Sequence, residues 1–190
     1  MSEFIKPEKI IVDDFVLKQI PGTPEFAKEI YDIFTTDSDT FKHWFDGGMW
    51  KSVDEIKRYY HDKSQNNDQQ WKYAMYGIFK NNELLGEIGF SGIDTKNQTG
   101  EIGYWLKKSA RGHEIVDKII PTIEKLGFEK FNLRKINIWC DDDNIASRKH
   151  AEKNGYKLEG VQRERKLWPD GSIHSTAMFG KLKSEYKETL

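Results

Sequence analysis

Three β-rich runs in immediate succession, followed by an abrupt change to helical spacing, constrain this chain more than any other feature. "WKYAMYGIFK", the turn "NN" at 81–82 and "ELLGEIGFSGI" make two runs around a short hairpin loop, and "GEIGYWLKK" makes a third. In the third run Ile102, Tyr104 and Leu106 alternate with Glu101, Gly103 and Trp105. One face is therefore expected to enter a core, while Gly103 permits a bulge or a close backbone approach. This predicts an antiparallel meander over 71–107. From there the period changes: Ile115, Ile119, Ile120, Ile123 and Leu126 share one helical face that ends before Gly127, with Pro121 expected to kink or weaken the helix.

The flanking segments complete the pattern. "IIVDDFVLKQI" at 10–20 reads as one strand, which "PGTP" breaks before a helix carrying Phe26, Ile30, Ile33 and Phe34. A second helix is expected from Ser52, with Val53, Ile56, Tyr59 and Tyr60 on its apolar face. After the central helix comes the strand "KINIWCD". "DNIASRKHAEKNGYKLEG" then offers Asp143 or Asn144 as an N-cap and Gly155 as a stop, bracketing a short helix. Two last strands, near 157–167 and 173–182, flank "WPDGS". The order predicts an α/β three-layer fold with a mixed, mostly antiparallel sheet of about seven strands flanked by helices, as one domain over 1–190.

Charge and composition exclude several functions. The formal net charge is −1 with 32% charged residues, so the signs nearly balance and no global field recruits nucleic acid or an anionic membrane. The opening "MSEFIKPEK" is polar and charged, no run resembles a signal peptide or a membrane span, and the lone Cys140 excludes an internal disulfide framework; a cytoplasmic location is the expectation. Aromatics at 13%, six of them Trp, argue for a packed interior. His43, His61, His113, His150 and His174 are scattered without metal-ligand spacing, so no metal site is expected. Cys140, ending an apolar strand, reads as a small buried residue, and His174 as either a border of a binding pocket or an exposed loop residue.

"GEIGYWL", then "ARGHEI" opening a helix, then "NIASRKHAEKNGYKLEG" resemble the GNAT superfamily of acetyl-CoA-dependent N-acetyltransferases, and within it the RimJ/RimL-like group that acts on ribosomal-protein amino termini and related amines. The pattern of Asn144, Ser147, Gly155, Tyr156, Glu159 and Gly160 carries most of that likeness. Independently of the name, a helix N-terminus offers unpaired N–H groups and a positive dipole end to a pyrophosphate. The resemblance implies that Arg111, Gly112, His113, Glu114, Ile115 and Val116 form that terminus. It also implies that the strand holding Tyr104, Trp105 and Leu106 splays from the strand at 135–141 to admit the pantetheine of acetyl-CoA, and that Asn144 and Ser147 hold its far side. The family loop, Arg or Gln followed by x-x-Gly-x-Gly/Ala, meets Arg111, Glu114 and Val116 here, and only the first position matches. A carboxylate beside a phosphate is expected to weaken CoA binding by roughly tenfold to a hundredfold. In the alternative, Glu114 favours the helix dipole and points to solvent, with Lys107, Lys108, Arg111 and His113 offsetting its charge.

Acetyl transfer needs a neutral amine, a base to take its proton and an acid for the departing thiolate. Many GNAT enzymes place an acidic Tyr where this chain has Ala151, so the resemblance implies Ser147 as the substitute; its alternative is an ordinary polar residue of a first helical turn. The family's basic glutamate falls on Lys166, leaving Glu164, Glu87 and Glu101 as candidates, each of which can equally be a solvated strand residue. The aromatic segment "FKHWFDGGMW", with Phe41, Trp44, Phe45 and Trp50, lines either the acceptor pocket or a core or dimer contact, and Asp46 would attract a cationic amine. The function implied is N-acetylation of a primary amine, a protein N-terminus or a small molecule, by a monomer or homodimer. The departures at Glu114, Ala151 and Lys166 support an alternative: a GNAT-like binding or regulatory module with impaired catalysis.

Overall fold

The structure, a computed structural model, describes residues 5–37, 50–65, 71–168 and 171–187. The opening run divides in two. Asp13 adopts a left-handed conformation (φ 51°), so β1 (Lys9–Val12) and β2 (Phe15–Lys18) form an antiparallel hairpin rather than one strand. Helices α1 (Pro24–Thr36) and α2 (Val53–Gln65) follow, the first with proline at its start, where the missing N–H costs nothing.

The meander forms as β3 (Trp71–Lys80), β4 (Glu83–Asp94) and β5 (Thr99–Leu106). Asn81 and Asn82 both have positive φ, 51° and 66°, which a two-residue hairpin turn of this hand requires. Helix α3 (Ile115–Lys125) crosses over to β6 (Lys135–Asp141), α4 (Ile145–Lys153) leads to β7 (Lys157–Leu167), and β8 (Ile173–Leu182) runs into a short α5 (Lys183–Lys187). Together the strands form one eight-stranded sheet in the order β1-β2-β3-β4-β5-β6-β8-β7. Only β5 and β6 pair in parallel, as a helical crossover dictates; the other neighbours are antiparallel.

The sheet has a core on each face. Ile115, Ile119, Ile120 and Ile123 of α3 pack with Ile88, Ile102, Ile136, Ile138 and Phe179 on one side. On the other, Ala27, Ile30 and Phe34 of α1 and Ile56 and Tyr60 of α2 pack with Phe79, Leu84 and Trp105. The arrangement is the expected three layers.

Three local expectations are corrected. Trp105 does not face solvent opposite a single core: it is buried, with its ring 5.5 Å from that of Phe34 in an edge-on contact, so both faces of β5 are covered. The bulge lies in β4, between Phe90 and Gly92, rather than at Gly103. Gly127 does not stop the helix. Pro121 lies inside α3 without ending it, and the chain continues through a π-helical turn, Leu126–Lys130, in which a Cβ on Gly127 would stand 2.5 Å from Phe90 Cζ. That glycine lets helix and sheet approach closely. Gly155 does end α4: at φ 78° it donates to Glu152 O and Tyr156 donates to Ala151 O, satisfying two terminal carbonyls. Among the described residues, no helix is long and apolar enough to cross a membrane.

Candidate functional site

β5 and β6 pair only at Thr99–Lys135, Gly100–Ile136 and Glu101–Asn137. Beyond those pairs, β5 runs on to Leu106 and β6 to Asp141 without pairing to each other, so the sheet opens into a cleft along residues 102–106 and 138–141. Each strand ends close in sequence to a helix N-terminus, that of α3 at Ile115 and that of α4 at Ile145. Two positive dipole ends therefore lie at the open end of the splay.

Tyr104, Asn144 and Ser147 are brought together there. The Tyr104 hydroxyl lies 2.8 Å from Ser147 Oγ, so a side chain of β5 reaches one of α4 across the cleft. Asn144 is the N-cap, its Oδ1 accepting from the Ser147 N–H at 3.1 Å, which fixes the first turn that presents Ser147. Ser147 is buried. Burial pushes the Tyr104 phenol above its ordinary value, against a smaller pull from Ser147, so it stays protonated. Cys140 adjoins the same hydroxyl; burial pushes its thiol up too, which makes it a poor nucleophile.

A second layer supports this pair. His150 sits edge-on to Tyr104 with ring centroids 6.1 Å apart, and its Nδ1 is 2.6 Å from Asp117 Oδ1. Asp117 also accepts from Asn154 Nδ2 at 3.1 Å and faces Lys153 Nζ at 2.9 Å. Partial burial pushes the Asp117 carboxyl up, but the hydrogen bonds from Lys153 and His150 outweigh it and hold the group below its ordinary value. These links join α3 to α4 at their site ends. Nothing in the sequence pointed to them, since Asp117 and His150 are not neighbours in the chain.

The loop before α3 differs from expectation in its charges. Glu114 occupies the left-handed region (φ 55°, ψ 20°) at the N-cap, a conformation that suits glycine. Its carboxylate accepts from Lys153 Nζ at 2.7 Å, and that bond, foremost, holds it below its ordinary value. Two of the four expected counter-charges are engaged elsewhere: Lys107 pairs with Glu83, and Arg111 pairs with Asp37 while its Nε donates to Leu106 O at 3.2 Å. Gly112 (φ 78°) and His113 are exposed. Ile115 and Val116 bury their side chains in the core, so only their backbones can serve a ligand.

The carboxylates expected as bases separate. Glu87 is buried and accepts from Tyr60 Oη at 3.0 Å and Trp105 Nε1 at 3.1 Å. It borders a cleft of about 20 Å³ with Lys6, Tyr59, Tyr60 and Tyr73, room for about one water-sized group. Glu101 is half-buried at the last pair of β5 with β6. Glu164 is exposed at φ 53° within an irregular stretch of β7, its N–H donating to Ser175 Oγ at 3.1 Å. Of the aromatic segment, Trp50 packs against Phe34 and Tyr59 at 4.8 and 5.2 Å between centroids; Phe41, Trp44, Phe45 and Asp46 lie outside the described residues.

Spacing also gave no sign that Asp141, Asp143 and His174 converge, with one ligand atom from each within 4.8 Å of the others. Lys166 Nζ stands 3.9 Å from Asp141 Oδ1, so a cation of the chain's own already faces that carboxylate.

The acetyltransferase (GNAT) domain family matches residues 17–157. The chain is 36% identical over 96 residues to the ribosomal-protein-serine acetyltransferase of Escherichia coli (strain K12), covering 50% of this chain and 54% of that protein. It thus spans about half the length of that curated relative. It is 25% identical over 175 residues to YoaA, an uncharacterized N-acetyltransferase of Bacillus subtilis (strain 168), covering 90% and 94%. In fold it resembles the solved structure of RimL, a ribosomal L7/L12 alpha-N-protein acetyltransferase in complex with coenzyme A, with a TM-score of 0.79, 22% identity and coverage of 94% and 99%.

Proposed function

The chain belongs to the GNAT acetyltransferase family, and from that premise we propose that it transfers an acetyl group from acetyl-CoA to a primary amine. The observation that carries this reading is the splay: three parallel pairs, then an open cleft with the N-termini of α3 and α4 at its mouth. The residues fit the group that would fill it. Backbone N–H groups at 112–116 suit a pyrophosphate, and the edge of β5 at Tyr104–Leu106, where it has parted from β6, suits the amides of pantetheine. Acetyl-CoA supplies the activated acyl group. Asn144 orients the helix start, and the Ser147 hydroxyl, aligned by Tyr104, delivers a proton to the departing sulfur.

The acceptor class follows from the relatives. One is named for a ribosomal-protein serine and another for the L7/L12 amino terminus, so a protein N-terminus is the first acceptor to test and small-molecule amines the second. We read the chain as one cytoplasmic domain acting as a monomer or a homodimer. The alternative, a GNAT fold that binds without turnover, draws on Glu114 at the loop, but Lys153 supports the catalytic reading by compensating that charge. The test is to incubate the protein with acetyl-CoA and a panel of peptides with different first residues, alongside polyamines and amino sugars, and read products by mass. A gain of one acetyl group on any panel member supports the proposal; none on any member, with acetyl-CoA bound, favours the alternative.

A further inference from the structure

Of the carboxylates expected as bases, Glu87 borders a water-sized cleft, Glu164 is exposed on the outermost strand and Glu101 is half-buried at the last β5–β6 pair. One other titratable group is built for proton transfer. His174 Nε2 lies 2.9 Å from Ser172 Oγ, and its Nδ1 lies 3.7 Å from Oδ2 of Asp141, which is 1% exposed. The indole of Trp168 stacks on the imidazole at 3.9 Å between centroids and 18° between planes. Trp168 is tied in turn to Ser172 by a backbone bond of 2.9 Å. A ring with a carboxylate at ion-pair distance from one nitrogen, a hydroxyl hydrogen-bonded at the other and an indole against its face is constrained from three sides.

Its place in the sheet is equally specific. Asp141 ends β6 inside the splayed stretch, one residue after Cys140, whose thiol meets Ser147 on the α3/α4 side. By alternation Asp141 faces the opposite side of the sheet. His174, two residues along β8 from Asp141's partner Thr176, faces that side as well. A cofactor entering past α3 and α4 would meet an acceptor arriving from this other face.

Resting on the acetyltransferase reading above, we propose that His174, oriented by Asp141 and reached through Ser172, is the proton acceptor for the incoming ammonium. The acceptor nitrogen gives one proton to Ser172 Oγ as the Ser172 hydroxyl proton passes to His174 Nε2. Asp141 balances the imidazolium. The neutral amine attacks the thioester carbonyl, the C–N bond forms, the C–S bond breaks, and the second proton lost by nitrogen ends on the CoA sulfur. His174 returns its proton to solvent. Among the described residues, the charged and titratable groups facing it include Asp141 at the end of β6, Asp143 in the turn that follows, and Lys166, its cross-strand partner on β7.

The experiment measures kcat/KM against pH for the wild type, H174A, S172A and D141N, using the best acceptor from the panel, with the acetyl-CoA dissociation constant determined for each. H174A is expected to lose about a hundredfold or more in kcat/KM at neutral pH, to lose the acid limb of the profile, to keep its acetyl-CoA affinity within about threefold, and to regain part of its rate with added imidazole. S172A and D141N are each expected to lose about tenfold in kcat/KM at neutral pH while keeping their acetyl-CoA affinity within about threefold. Transfer by H174A with the wild-type rate and acid limb would overturn the inference while leaving the acetyltransferase reading intact. So would loss of the limb in E101Q instead. A wild-type protein that binds no acetyl-CoA overturns both.

Discussion

Ser147→Ala separates a catalytic hydroxyl from a structural one, because the structure fixes what the substitution strands. Ser147 Oγ is the 2.8 Å partner of the Tyr104 hydroxyl, and both groups are largely shielded from water. Removing Oγ alone deprives a buried phenol of that partner, at a cost of about 1–3 kcal/mol. For a chain of this size that lowers Tm by roughly 3–10 °C. Replacing both partners, as in S147A/Y104F, leaves only the Cys140 thiol, a weak donor, without the Ser147 hydroxyl, so most of that stability should return. If Ser147 protonates the departing thiolate, its loss should also lower kcat by about a hundredfold with little change in acetyl-CoA affinity, and the double variant should stay equally slow. The assay is calorimetric Tm alongside release of free CoA thiol at saturating acetyl-CoA. A double variant that regains both stability and rate would refute the role, because the single variant's defect would then have been one of packing.

Glu114→Gly removes a side chain and a negative charge from a left-handed position and leaves Lys153 paired with Asp117 alone; acetyl-CoA should bind about threefold to tenfold more tightly in a low-salt titration, and unchanged affinity would mean that the carboxylate lies clear of the phosphates. Gly127→Ala places a Cβ 2.5 Å from Phe90 Cζ and 2.9 Å from Ile136 Cδ1, so urea unfolding should show a loss of about 1–3 kcal/mol. Lys181→Met strips the ammonium that lies 2.9 Å from Glu124 Oε2 in a buried pair; the expected cost is about 3 kcal/mol, the low end of the range, because Glu124 can take up a proton instead. Burial pushes the Glu124 carboxyl up more strongly than Lys181 lowers it. Its share of stability is therefore full below the unfolded value and lost as pH rises through the folded one, and Glu124→Gln should flatten that decline in a series of Tm against pH.

Much of the architecture was legible because short-range chemistry specifies it. The Asn-Asn turn at 81–82, the helix cap expected at Asp143 or Asn144 and the Gly155 stop each depend on residues within a few positions of one another; the structure has the turn and the stop, and of the two cap candidates it uses Asn144. The opening run reads as one strand because Asp13 and Asp14 sit inside an otherwise β-rich stretch, and only the left-handed φ of Asp13 reveals the hairpin. Gly127 looked like a helix stop because a glycine required for close packing and one required for positive φ are the same letter. The site was less legible. Tyr104 is expected to serve through its backbone, yet its hydroxyl crosses from β5 to meet Ser147 of α4. The partner of Glu114 is 39 residues away at Lys153, and Asp141 meets His174 only because β6 and β8 are neighbours. Such pairs depend on sheet order and register, which periodicity leaves open.

The measurement that bears most directly on the account is a calorimetric titration of the full chain with acetyl-CoA at moderate salt. The splay between β5 and β6 and the two helix N-termini predict saturable one-to-one binding in the micromolar range. No heat of binding at millimolar acetyl-CoA, from protein shown to be folded, would contradict the central claim that this cleft is a cofactor site.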